Sequence, residues 1–144
     1  MIEKDTVRLL RECDAGVKMG IDSIEDTIGG ARSDGLRRVM EESKREHKVI
    51  EDEIHAMLLS FDDEGKRSNP FLRGMSHAMT EMKLAMKGGD STVADLMTDG
   101  CNMGIKSLSR YLNEYKAASE ESKDIAKRII ALEERLLSEV RGYL

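Results

Sequence analysis

Hydrophobic residues recur at alternating intervals of three and four along most of this chain. The first series runs Val7, Leu10, Cys13, Val17, Ile21, Ile24, Ile28, which is the spacing of one helix face. Asp5 or Thr6 stands where an N-cap belongs, and Gly29-Gly30 ends the series. Ser33 opens a second helix carried by Leu36, Val39, Met40, Ile50, Ile54, Met57, Leu58 and Phe61. So short a break makes the first two helices antiparallel neighbours. A polar stretch from Asp62 leads to Asn69-Pro70, a cap followed by proline at the first helical position, and to a shorter third helix striped by Met75, Met79, Met82 and Met86. After Gly88-Gly89, Asp90 or Ser91 caps a fourth helix, with Thr92-x-x-Asp95 as a capping box. It runs through Val93, Leu96, Met97, Gly100, Gly104, Leu108, Tyr111 and Tyr115. A fifth helix starts near Ser119 and uses Ile125, Ile129, Leu132, Leu136, Val140 and Tyr143.

One segment occurs twice. Met19-Gly20-Ile21-Asp22-Ser23-Ile24 returns 84 positions later as Met103-Gly104-Ile105-Lys106-Ser107-Leu108, and each copy is preceded by another glycine, Gly16 and Gly100. Interior glycines each cost a helix about 0.8–1 kcal/mol relative to alanine, so four of them imply a compensating contact. Gly16, Gly20, Gly100 and Gly104 are therefore expected to pack the first long helix closely against the fourth. The repeat divides residues 1–144 into one domain of two pseudo-symmetric helical hairpins, 1–61 and 91–144, joined by a crossover over 62–90 that holds the short helix.

Composition narrows the class. One proline, no tryptophan and five Phe and Tyr together favour an all-α protein. The net charge of −5, with bases interleaved among acids, excludes a nucleic-acid binder. No apolar run reaches membrane-spanning length and no secretory leader opens the chain, so a cytoplasmic protein away from the membrane is expected. Cys13 and Cys101 fall at apolar helical positions and read as buried thiols suited to a reducing compartment.

Two antiparallel helical hairpins related by pseudo-symmetry and joined by a long crossover resemble the ferritin-like class. The resemblance implies an up-down four-helix bundle with a short fifth helix in the crossover. It also implies a two-metal carboxylate site, built in that class from a Glu on one helix and Glu-x-x-His on its partner. Here the second helix carries Asp52-x-x-His55, Lys44 stands where the carboxylate before His47 belongs, and Glu133 is followed by Leu136 at the histidine position. The pairs Asp22/Asp26 and Asp95/Asp99 resemble the acidic helical motifs of PhoU-like bundle proteins.

His47 and Ser43 interrupt the apolar stripe of the second helix and read as a hydrogen-bonded buried pair. Alternatively His47, Glu51 and His55, spaced four apart on one flank, bind a metal with Glu12 or Asp14 of the first helix, with iron, manganese or zinc as the ion. His77 and Glu81 repeat that spacing on the third helix as a surface pair, and its methionines fill gaps beneath it. No Gly-x-Ser-x-Gly, phosphate loop, Cys-x-x-Cys or His-Glu-x-x-His is present. The expectation is a non-catalytic binding or structural module, without catalytic residues or a resident cofactor, acting through a protein partner or homo-oligomerisation. The alternatives are a metal-binding ferritin-like oxidoreductase or metal-storage protein, and a PhoU-like regulator.

Overall fold

The computed structural model describes residues 2–61 and 88–144, and every regular element among them is helical. Four long helices follow in order: α1 Ile2–Thr27, α2 Asp34–Leu59, α3 Asp90–Glu114 and α4 Glu120–Val140. Short 3-10 turns, Ile28–Gly30 and Arg141–Tyr143, follow α1 and α4. The third helix expected over the methionine stripe, and the interior of the 62–90 crossover, lie outside the described residues. Among the described residues no helix is long and apolar enough to cross a membrane.

Each of α1 and α4 packs on both α2 and α3, and α1 and α4 also meet across the diagonal. The end of α1 and the start of α2 meet the start of α3 and the end of α4, as the shared cluster of Ile24, Ala31, Leu36, Val93 and Val140 records. Neighbouring helices are therefore antiparallel. It follows that α2 ends at one end of the bundle, where Phe61 packs against the cluster that holds Leu9, Leu58 and Ile125, while α3 begins at the other.

The helix starts differ from the expected caps. Asp5 and Thr6 lie inside α1 and their side chains reach the α3–α4 connection: Ala117 N–H donates to Asp5 Oδ2 at 3.2 Å and Ser119 N–H to Thr6 Oγ1 at 2.8 Å. Asp90 is likewise the first residue of α3, after Gly88 and Gly89 at φ of 50° and 91°. Its Oδ1 accepts from Arg32 N–H at 2.6 Å and Ser33 N–H at 3.1 Å, in the α1–α2 connection. Each hairpin thus satisfies the open backbone donors of the other hairpin's turn. Ser33 and Ser119 do cap α2 and α4, accepting from Leu36 N–H and Ser122 N–H.

The burial pattern repeats as the sequence does. Leu9, Leu10, Cys13, Val17 and Ile24 of α1 are buried, and so are Val93, Ala94, Met97, Cys101 and Leu108, 84 positions on in α3. Along α2 and α4 the correspondence runs at 86 positions, the separation of His47 and Glu133, and it also relates the caps Ser33 and Ser119. The apolar core forms two clusters. One gathers Leu9, Val17, Ile21, Ile50, Ile54, Leu108, Ile125 and Leu132; the other gathers Ile24, Met40, Val93, Met97, Cys101 and Leu136. On α2 the boundary between them falls at His47, and on α4 at Glu133.

Candidate functional site

His47 is fully buried and Glu133 nearly so. His47 Nδ1 lies 2.7 Å from Ser43 O, and since a carbonyl can only accept, Nδ1 carries a proton and donates it. Nε2 lies 3.1 Å from Glu133 Oε1. That second bond requires one more proton between two groups: an imidazolium donating to a carboxylate, or a neutral ring accepting from a carboxyl. Cys101 of α3, itself buried, lies beside the Glu133 carboxylate. Burial first, and then the Glu133 charge, push the Cys101 thiol well above the usual range. Burial likewise pushes Cys13 up to about 12. Both cysteines are free and buried, an environment that suppresses the reactive thiolate.

The repeated glycines make room for this layer. A Cβ on Gly20 would stand 2.8 Å from His47 Cδ2 and Nε2, and one on Gly104 would stand 3.6 Å from Glu133 Cδ. In both copies, therefore, the glycine notch faces a polar side chain of its own hairpin partner helix. The nearest atoms are side-chain atoms and not the opposing backbone, which differs from the expected close crossing. Gly16 does face the α1–α3 seam, with Leu108 at 4.0 Å from its built Cβ, whereas Gly100 is exposed with nothing within 4 Å.

A second cluster lies where α1 meets α2 on the bundle's flank. Asp14 is fully buried; its Oδ1 is 2.9 Å from His55 Nε2 and its Oδ2 is 2.7 Å from Lys18 Nζ. One ligand atom each from Asp14, Glu51 and His55 lies within 4.8 Å of the others. Of the five residues the sequence nominates for a metal, the structure brings these three together. His47 is committed to Ser43 and Glu133 instead, and Glu12, half-exposed one residue before Cys13, stands apart from the group. His77 lies outside the described residues.

Lys18 is the one member of these sites that no sequence motif marks, whereas Glu133 is marked only as a metal carboxylate lacking its histidine and Cys101 only as a buried thiol, neither as a neighbour of His47. The signal for Glu133 was present: the offset relating the caps Ser33 and Ser119 also sets Glu133 opposite His47. The chain matches no family model, no curated protein and no solved structure.

Proposed function

We propose that this chain is a ferritin-like bundle, with a fifth helix in its crossover, that works as a non-catalytic cytoplasmic module through self-association. The supporting observation is the His47–Glu133 layer. It occupies the middle of the bundle, where the ferritin-like class holds its metals, and its ring nitrogens and carboxylate already have partners. Among the described residues no fully buried side-chain polar atom is left without a hydrogen bond. An interior satisfied in this way supplies cohesion and a fixed register between the hairpins. Recognition is then left to the surface.

The α2–α4 face has the character such contacts need. A groove of about 450 Å³ is lined by Glu46, Val49, Ile50, Arg128, Ala131 and Arg135, with Val49 largely exposed on it. Arg128 bonds both oxygens of Glu53 at 3.1 and 2.7 Å, and Arg135 pairs with Glu46. Opposite charges on the two helices make the face self-complementary under a two-fold rotation, the commonest symmetry of homo-oligomers. Sedimentation over a concentration series is expected to show a monomer–dimer equilibrium that Val49→Arg abolishes. A monomer at every concentration would rule self-association out.

A further inference from the structure

We propose that Asp14, Glu51 and His55 form a site for one divalent first-row transition cation, opening to solvent on the α1–α2 flank. This site does not depend on the self-association reading. It uses neither the polar layer nor the α2–α4 face.

The geometry favours a single ion. Glu51 and His55 are one helical turn apart on α2 and both are half-buried, while Asp14 enters from α1 and is held fixed in a fully buried position. With bonds of about 2.0–2.2 Å, ligand atoms around one ion stand about 3–3.5 Å apart. The 2.9 Å between His55 Nε2 and Asp14 Oδ1 and the 4.8 Å limit on the whole set bracket that spacing. Small rotations of the two half-buried side chains suffice to close it. Because His55 is 42% exposed, solvent can complete the coordination.

Lys18 sets the character of the site. Its ammonium holds Asp14 Oδ2, while the cation takes the place of the proton shared by His55 Nε2 and Asp14 Oδ1, so Asp14 serves as a monodentate ligand through Oδ1. With a neutral imidazole, two carboxylates and one ammonium leave a single net negative charge to receive the ion. One nitrogen and two oxygens suit Zn²⁺, Co²⁺, Mn²⁺ or Fe²⁺. The imidazole disfavours Ca²⁺ and Mg²⁺, and the lack of a thiolate disfavours Cu⁺.

The test uses the full chain stripped with chelator, titrated with Zn²⁺ by calorimetry and with Co²⁺ by visible absorption. One equivalent is expected to bind, to raise the unfolding temperature, and to give the cobalt spectrum of a low-symmetry oxygen and nitrogen site. Glu51→Gln and His55→Gln should each weaken binding by more than about tenfold, at least the loss typical of disturbing a metal site's supporting shell. Their metal-free unfolding temperatures should stay near that of the parent. Lys18→Met should tighten binding by removing a positive charge beside the ion, and His77→Gln should leave it unchanged. The proposal is overturned by the absence of stoichiometric binding, by binding that survives both Glu51→Gln and His55→Gln, or by binding that is lost with His77→Gln.

Discussion

Gly20 and Gly104 occupy equivalent places in the repeat, yet a methyl group would be received differently at the two. At Gly20 it would press to 2.8 Å against an imidazole that two hydrogen bonds hold in place. The ring cannot swing aside without breaking one of them. Gly20→Ala is therefore expected to destabilise the protein by about 1–3 kcal/mol, the usual cost of overpacking, despite alanine's better helix propensity. At Gly104 the nearest atom would stand at 3.6 Å, an ordinary van der Waals distance, and at Gly100 there is open space. Gly104→Ala and Gly100→Ala should each stabilise by up to about 1 kcal/mol. Urea denaturation of the three variants checks this, and a loss at Gly100 as large as at Gly20 would contradict the packing account. The repeat itself was legible because it is a pattern of letters. What the glycines accommodate was not, since that depends on which side chain the neighbouring helix turns toward them.

The helices were legible for a related reason. A sustained three-four alternation of apolar residues constrains one face over six or seven turns, and the ends marked by Gly29-Gly30, Ser33 and Ser119 agree with α1, α2 and α4. The starts of α1 and α3 were misread because Thr6 and Asp90 have the side chains of local caps. Here those side chains serve the other hairpin's turn, a long-range choice that short-range rules cannot express. Asp90 makes this measurable. Backbone N–H donors of Ser33 and then Arg32 hold its carboxyl below its ordinary value of 3.8. A carboxyl depressed in the folded state contributes stability above its unfolded pKa and loses that contribution as pH falls through the folded value. Asp90→Ala should consequently lower the unfolding temperature at neutral pH, and the gap to the parent should close below pH 3.8. A gap that stays constant into acid would mean the carboxylate charge has no part in clipping the hairpins together.

For the whole molecule, the internal repeat explains why two dissimilar residues meet at its centre. Equivalent positions of α2 and α4 face each other in the middle of the bundle, and here they hold His47 and Glu133, separated by 86 positions. A motif of identical metal ligands in each half does not reveal a pair whose members differ but complement each other. The pair divides the apolar core into two clusters and ties the hairpins at one register, since sliding α2 past α4 by a turn would strand both groups in hydrocarbon. Removing one partner should therefore cost much more than exchanging both. His47→Leu and Glu133→Leu alone are each expected to destabilise by about 3 kcal/mol or more, because each leaves a buried polar group uncompensated. The double variant should lie well short of the sum, with a coupling energy of at least about 1 kcal/mol from a denaturation cycle. Its apolar centre should still fold, but with a register no longer fixed, seen as broadened amide resonances and a shallower denaturant slope than the parent's. Additive single losses with an unchanged slope would reduce the layer to two independent buried residues and remove its role in aligning the halves.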